Sequence, residues 1–172
     1  MTPEQLQEKK NAFLARYNGR RSNAIAVSSG LKAASQRNPL YVAGLPQSAR
    51  ECIREEWRAL LRATAAKYES PIGAPEYEQD IQELKRAMNE RFLDCFRSQG
   101  HTRSGYDPGF RISHAQKSLS VFLKHLWCMN TIATPPQCPV DRIVLWAAGL
   151  SDRETRWTHV NTIEEHRCMI AH

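Results

Sequence analysis

The sequence predicts an all-α fold, in which residues 1–172 form one compact domain of about six to eight helices. Three observations support this class. Apolar residues recur at helical spacing, capping residues and Pro or Gly breakers separate the helical segments, and no convincing pair of strand patterns is found. Hydrophobic residues make up 41% and charged residues 24% of the chain, which is ordinary for a globular protein and excludes a disordered or collagen-like one.

The N-terminal region, residues 1–45, is predicted to be helical and to pack on the rest of the domain or extend from it. Thr2 can cap a helix in which a Pro occupies the first position and Gln5 completes a capping box. This helix should run to about Tyr17, where an Asn-Gly pair ends it. The Ser- and Ala-rich segment 22–37 is predicted as a second helix.

Two amphipathic helices follow, separated by a Pro- and Gly-rich breaker at 70–75. Their apolar residues repeat every three or four positions with charged residues between them, which is the pattern of a helix that buries one face. The first apolar stripe is Ile53, Trp57, Leu60, Leu61, Thr64 and Tyr68, and the second is Tyr77, Ile81, Leu84, Met88, Phe92, Cys95 and Phe96.

A more apolar helix is expected over 115–129, with Ser113 as its candidate N-cap. Because apolar residues lie on most of its faces, this helix should occupy the middle of the molecule. A stiff Pro-rich connector then precedes another buried helix over 140–148. A last helix should begin at Asn161 or Thr162, since each of these residues starts a capping box.

The net charge of +6 is concentrated in the N-terminal part of the sequence. The first 50 residues contain eight Lys and Arg against two Glu, whereas the rest of the chain is balanced. A second basic stretch runs from Arg97 to Lys124 and contains Asp107 as its one acidic residue. Clustered positive charge attracts polyanions, because binding releases their condensed counterions. We therefore expect nucleic acid as the partner, in the form of duplex DNA.

Lys117 and Asp141 are the candidate catalytic residues. The pattern places Lys117 in the first turn of the apolar central helix and Asp141 at the start of the next helix, beyond the Pro-rich connector 134–139. The positive end of a helix dipole and partial desolvation both lower the pKa of an amine, which favours its use as a nucleophile or base. The same dipole keeps an Asp ionised, so that it can stabilise an electron-poor centre or orient a water molecule.

The segments 114–127 and 139–145 around these two residues resemble the helix-hairpin-helix DNA glycosylase superfamily, which includes endonuclease III and the oxidised-guanine glycosylases. In that family a hairpin leads into a helix that carries a catalytic Lys, and a Val-Asp pair precedes an apolar helix. The resemblance implies that Lys117 forms a Schiff base and that Asp141 assists departure of the base. It covers residues 110–148 and lacks the Gly-x-Gly turn and the iron–sulfur cysteines found in that family.

Basic and polar side chains near these segments are expected to contact the phosphates of DNA. In the resembled family the amides of the Gly-x-Gly turn bind a phosphate, and here the side chains of Arg111, Ser113 and His114 would take over that contact. The predicted nucleic-acid-binding residues are Arg20, Arg21, Arg103, Arg111, Ser113, His114, Lys124 and Arg142. The candidates for an aromatic wall on which a flipped base stacks are Phe110, Trp127, Trp146 and Trp157.

The sequence predicts no metal site, no cofactor, no membrane segment and a cytoplasmic protein. Five scattered cysteines without a C-x-x-C pair are typical of reduced thiols. The potential zinc ligands Cys128, Cys138, His166, Cys168 and His172 lack the close pairing of a structural zinc site. His125 and Cys128 lie three residues apart, as a base and a thiol nucleophile could, but no third group is evident to orient them.

Two other functions remain open. One is a non-catalytic helical module that binds nucleic acid or protein, of the kind used in phage defence or regulation. In that case the basic residues bind the partner, and Lys117 and Asp141 are structural. The other is a protein–protein interaction domain without affinity for DNA. The salt dependence of DNA binding, combined with any preference for an abasic site, distinguishes the binding module from the glycosylase, because a plain nucleic-acid binder loses affinity with salt and ignores the lesion.

Overall fold

The computed structural model describes residues 1–36, 40–97, 109–150, 158 and 160–171, and in this part of the chain the all-α prediction is confirmed. Its α-helices are α1 (Pro3–Tyr17), α2 (Asn23–Ser35), α3 (Gln47–Ala65), α4 (Ala74–Phe92), α5 (Ile112–Cys128), α6 (Arg142–Ala147) and α7 (Ile163–Ile170). Short 3₁₀ turns extend α3 and α4, and an isolated antiparallel bridge joins Tyr41 to Phe96.

The helix α5 lies at the centre of the molecule, as its apolar character predicts. Almost all of its side chains are buried, and α1, α2, α3, α4 and α7 all contact it. The closest partner is α2, which approaches at Gly30, where an added Cβ would lie 2.5 Å from the carbonyl oxygen of Ser118. A glycine at this position therefore allows the two helix backbones to meet.

The amphipathic helices α3 and α4 cover α5 with the apolar stripes that the sequence predicts. Trp57, Tyr77, Ile81 and Met88 are all fully or almost fully buried in the main core. The polar atoms of the two aromatic residues are hydrogen-bonded to serines of α5: Trp57 Nε1 donates to Ser118 Oγ at 3.1 Å, and the Tyr77 hydroxyl lies 2.5 Å from Ser120 Oγ. These hydrogen bonds satisfy groups that would otherwise be buried at a loss of free energy.

The basic N-terminal region packs on the domain over its described residues. The capping box of α1 forms as predicted, with Thr2 accepting from the backbone of Gln5 and the Gln5 side chain accepting in return. Lys10 Nζ donates to Asn130 Oδ1 at 2.9 Å, which ties α1 to the end of α5. The next helix, α2, contributes Val27 to the main core together with Ala26, Leu31 and Ala34.

The start of α5 differs from the prediction. Its N-cap is Arg111, two residues before the predicted Ser113, and the backbone NH of Arg111 donates to His114 Nδ1 at 3.1 Å. Ser113 instead lies inside the helix and donates to the carbonyl of Thr158 at 3.2 Å. Because the helix begins at Ile112, Lys117 is in the second turn, where the helix dipole acts more weakly than in the first.

The C-terminal part contains two short helices on a small second core. α7 begins after Thr162, which forms the predicted capping box with Glu165. α6 also begins where expected, after Asp141, but the prediction of a buried helix is wrong. Ile143 is 68% exposed and Trp146 44% exposed, while Leu145 alone is buried, because α6 lies at the edge of the fold. None of the described helices is both long and apolar enough to cross a membrane.

Candidate functional site: a basic cleft beside the Lys117–Asp141 pair

Lys117 and Asp141 lie in contact, although 24 positions separate them in the sequence. The distance from Lys117 Nζ to Asp141 Oδ2 is 3.0 Å, and the same amine donates to the carbonyl of Val140 at 3.3 Å. The Lys117 side chain is 8% exposed and the Asp141 side chain 35% exposed, so the pair lies at the boundary between the core and the surface. A charge-assisted contact of this kind joins the second turn of α5 to the start of α6.

The local sequence explains the position of Asp141. The Pro-rich connector 134–139 crosses beside α5 and delivers Asp141 to the N-cap of α6, where its Oδ1 accepts from the backbone NH of Val144 at 3.0 Å. Partial burial raises the pKa of the carboxyl, but the hydrogen bonds from Val144 and Lys117 and the charge of Lys117 outweigh it. The pKa of Asp141 therefore lies below its ordinary value, and the carboxylate is ionised at neutral pH.

The pair forms one wall of a cleft of about 610 Å³ between α1, α2, α5 and the connector, which we call the basic cleft. Its polar and aromatic lining comes from four parts of the chain: Phe13, Arg16 and Tyr17 of α1; Ser29 and Lys32 of α2, with Gln36 just after it; Lys117, Lys124 and His125 of α5; and Asp141. Its volume falls within the range of sites that bind small molecules. The cleft therefore combines a suitable size with a lining rich in cations.

Three of these cations have no acidic partner among the described residues. Within the described part of the chain, no carboxylate lies within ion-pair distance of Arg16, Lys32 or Lys124, whereas Lys117 is paired with Asp141. Arg16 and Lys32 are exposed, and Lys124 is partly buried. Like charges that share a concave surface repel one another, and low-dielectric walls focus their field into the cleft. The cleft is thus suited chemically to an anion.

Aromatic rings lie among these cations. Lys124 Nζ is 4.6 Å from the centre of the Phe13 ring, and the Arg16 guanidinium is 5.3 Å from the Tyr17 ring. Phe13 also packs on His125, with ring centres 4.9 Å apart. Burial, together with the charge of Lys124, lowers the pKa of His125 to about 4, so this ring is neutral at pH 7. The aromatic faces are positioned for stacking or cation–π contacts beside an anion.

The structure places the predicted phosphate ligands Arg111, Ser113 and His114 in the interior, away from the basic cleft. Each is at most 4% exposed, and each bonds within the start of α5 or to the chain beside it. Burial, together with the charge of Arg111, lowers the pKa of His114 to about 3, so His114 is a neutral capping residue. These side chains stabilise the start of α5. The sequence did not reveal their burial, because residue spacing alone cannot distinguish a buried cap from a surface contact.

The other predicted contacts are distributed around the molecule. Lys124 lines the basic cleft. Arg20, Arg21 and Arg142 are exposed but do not line it, and Arg21 Nη2 donates to Asn11. Arg103 lies outside the described residues. The structure thus brings Lys124 together with Lys117 and Asp141, and does not bring Arg20, Arg21 or Arg142 into the same cleft.

The candidate aromatic wall also separates into different environments. Phe110 is fully buried and packs edge-on against Trp57, so the structure places this ring in the core and not on a surface. Trp146 is exposed on α6 under the guanidinium of Arg142, 4.5 Å from the ring centre. Trp127 lies beside the connector, and its Nε1 donates to Thr134 Oγ1 at 3.1 Å. Trp157 lies outside the described residues.

Neither metal binding nor thiol chemistry has structural support among the described residues. There, no group of three or more His, Cys, Asp or Glu side chains could hold a metal ion, and His172 is outside that set. Cys128 is 2% exposed, and burial raises the pKa of its thiol. A buried, protonated thiol next to a neutral histidine is poorly suited to nucleophilic attack.

Sequence analysis missed several residues of the cleft, chiefly Phe13, Arg16, Tyr17, Lys32 and His125. Part of the signal was present, since Phe13, Arg16 and Tyr17 are three to four positions apart and therefore share a face of α1. Nothing in the sequence shows that this face meets Lys32 of α2 and His125 of α5. That arrangement depends on how the three helices pack.

Comparisons of the chain with protein-family models, curated protein sequences and solved structures find no significant match. In its described residues this is an all-α protein with a cation-lined cleft and a partly buried Lys–Asp pair at the edge of that cleft. The function must therefore be argued from the chemistry of this cleft.

Proposed function

We propose that this protein binds nucleic acid through the basic cleft. The observation that carries the proposal is that Arg16, Lys32 and Lys124 line one concave surface without a carboxylate partner among the described residues. A polyanion relieves the repulsion between these cations and gains the entropy of counterion release. The excess of positive charge in the first 50 residues adds a longer-range attraction of the same sign.

The aromatic side chains in the cleft favour a nucleic acid over other polyanions. Phe13 and Tyr17 lie within the same surface as the cations, and Tyr17 is 52% exposed. Proteins that bind nucleic acid combine a basic groove for the backbone with aromatic rings on which bases stack. Inorganic polyphosphate offers phosphate groups but no ring to stack, so it would use only the cationic part of this surface.

The test is fluorescence anisotropy of labelled DNA and RNA over a salt series, with charge-reversed variants. We expect Lys32→Glu and Arg16→Glu each to weaken binding and to lower the slope of log affinity against log salt by about one. The matched control is Lys9→Glu, because Lys9 is exposed on α1 but does not line the basic cleft. Equal losses in all three variants, or binding that does not change with salt, would contradict a role for the cleft.

A base-excising DNA glycosylase-like enzyme is the second candidate, and the position of Lys117 and Asp141 favours it. The pair borders the basic cleft, so a nucleotide bound there would lie beside the two residues to which the resemblance assigns catalysis. The Lys117 amine donates hydrogen bonds to Asp141 and to the carbonyl of Val140. Schiff-base formation needs an amine that is free to attack, so base release assisted by Asp141, without strand cleavage, is the chemistry that fits these contacts better.

This candidate ranks second because both oxygens of Asp141 already accept hydrogen bonds, as a purely structural residue would. The test is alkali-revealed cleavage of labelled duplexes that contain undamaged, oxidised, deaminated, alkylated or phage-type modified bases. We expect cleavage of one class, lost in Asp141→Asn with the helical circular dichroism unchanged. An Asp141→Asn protein that still releases the base would rule out this mechanism.

A further inference from the structure

A second, smaller cavity opens beside the basic cleft, and no role has been given to it so far. We call it the connector pocket: it has a volume of about 190 Å³ and lies between α5 and the Pro-rich connector. Its walls include Trp127 of α5 and Pro135, Gln137, Cys138 and Pro139 of the connector. It is smaller than the roughly 300–1,000 Å³ of pockets that hold whole ligands, so it is suited to one ring system.

The two cavities adjoin each other. Lys124 and Pro139 line both the basic cleft and the connector pocket, so a ligand can have one part in each. The basic cleft offers cations, whereas the connector pocket is mainly apolar and is bounded by prolines and the ring of Trp127. A nucleotide has this same division, with a charged phosphate a short distance from a flat base whose two faces can pack against apolar and aromatic side chains.

The walls of the connector pocket are held in place before any ligand binds. Lys10 Nζ lies 4.1 Å from the centre of the Trp127 ring, and the indole NH is bonded to Thr134. Gln137 is oriented by His166, whose Nε2 lies 2.9 Å from Gln137 Oε1. Since this contact occupies the carbonyl oxygen, Gln137 has its amide NH₂ left to offer, which is a donor suited to the carbonyl edge of a base.

We propose that the connector pocket binds an unpaired base of a single-stranded nucleic acid whose phosphates lie in the basic cleft. This inference rests on the proposed function, and it replaces duplex DNA by a single strand as the substrate class. A paired base is stacked within the duplex and cannot enter a pocket of this size without being unpaired. A single strand presents its bases at no such cost, and stacking on an aromatic wall typically adds about 1–3 kcal/mol per base.

The first experiment compares probes with the unaltered full chain. Labelled oligomers of about 12 nucleotides are used as single strand, as duplex, and as a single strand in which abasic sites replace the bases. DNA and RNA versions are both measured. We expect the single strand to bind at least about tenfold more tightly than the abasic strand, which is the effect of about one stacked base, and more tightly than the duplex. Equal affinity for the normal and abasic strands, or tighter binding of the duplex, would overturn the inference.

A second experiment fills the pocket. Cys138 is exposed at the connector pocket, so the larger side chain of Cys138→Trp is expected to fill the space that a base would occupy. The affinity for the single strand should then fall to that for the abasic strand, while the affinity for the abasic strand stays unchanged. The matched control is Cys168→Trp, at an exposed cysteine on α7 outside the pocket. A normal affinity in folded Cys138→Trp would exclude the pocket.

The outcomes separate this inference from the proposed function. If Lys32→Glu weakens binding but the bases make no difference, the basic cleft binds nucleic acid and the connector pocket does not hold a base. If no oligonucleotide binds the unaltered protein at any salt concentration, the proposed function fails and this inference fails with it.

Discussion

The amine of Lys117 lies 3.0 Å from Oδ2 of Asp141, and this contact links the second turn of the central helix α5 to the N-cap of α6. Asp141 has two roles at once, since its other oxygen caps α6 through Val144. The Lys117 side chain is almost completely buried, and its amine donates to Asp141 and to the carbonyl of Val140. The pair therefore determines where the connector and α6 lie against the basic cleft.

Replacing Asp141 by Ala should lower the free energy of unfolding at pH 7 by about 2 kcal/mol. Loss of an N-cap costs about 1 kcal/mol, and the rest reflects the lost contact between Lys117 and Asp141, reduced because the Asp141 side chain is 35% exposed. Asp141→Asn should lower the free energy of unfolding by less than Asp141→Ala does, since an amide oxygen can still cap α6. Urea denaturation of the three proteins measures these differences.

The effect of Asp141→Ala should also depend on pH. The folded-state pKa of Asp141 lies below its ordinary value, so the stabilisation is present above about pH 4 and is lost as the pH falls through the folded-state pKa. The difference in stability between the unaltered protein and the Ala variant should therefore shrink below pH 4. A difference that stays constant from pH 7 to pH 3 would show that the charge of Asp141 contributes nothing.

Gly30→Ala should destabilise the protein by about 1–3 kcal/mol. The new methyl group would lie 2.5 Å from the Ser118 carbonyl oxygen, and a backbone atom cannot move aside as a flexible side chain can. The matched control is Gly19→Ala, where the nearest atom is 3.7 Å away. Thermal or urea unfolding of both variants tests this packing. Equal stabilities would mean that α2 and α5 are farther apart than the structure shows.

The protein should lose stability on acidification from about pH 6.5 to pH 4. Burial, then a neighbouring cation, lowers the pKa of His114 to about 3 and of His125 to about 4, so the unfolded chain takes up protons in this range while the folded chain does not. The stabilisation that comes from keeping each histidine neutral is therefore complete above the unfolded-state pKa of about 6.5. Below that pH, the free energy of unfolding falls by about 1.4 kcal/mol per pH unit for each such histidine, until the folded-state pKa is reached. Urea denaturation at a series of pH values measures the slope.

His125→Phe provides the control for this pH dependence. It retains a ring against Phe13 and removes a buried Nδ1 atom that has no hydrogen-bond partner among the described residues. The variant should show a slope smaller by about one proton between pH 6 and pH 4.5. The same slope in both proteins would indicate that His125 is protonated in the folded state.

Arg167→Ala should loosen α7. Two nitrogens of Arg167 contact Glu78 Oε2, at 2.8 and 2.6 Å, and the Glu78 side chain is buried in α4. Without Arg167 this carboxylate loses its cation, whereas the double variant Glu78→Gln, Arg167→Ala buries no charge. Hydrogen exchange of the α7 amides should rise most in the single variant. Exchange unchanged in both would show that the contact does not hold α7 in place.

Much of the fold could be predicted because the signals are local. Thr2 and Thr162 are each followed three residues later by Gln or Glu, and both form their capping boxes. The stripes of α3 and α4 predicted their buried faces for the same reason, since helical spacing places those residues on one side. At α6 the apolar residues Ile143 and Trp146 suggested burial that does not occur, because composition does not show whether a neighbour covers a helix.

The sequence alone determined the helices, the central position of α5 and the placement of Asp141 at a helix start, because each follows from residues within one or two turns of one another. The tertiary structure decided which cations share a cleft. Arg16, Lys32 and Lys124 come together because α2 meets α5 closely at Gly30 and α1 is tied to the end of α5. The tertiary structure also decided that Arg111, Ser113 and His114 are buried, because burial depends on contacts between segments far apart in the chain.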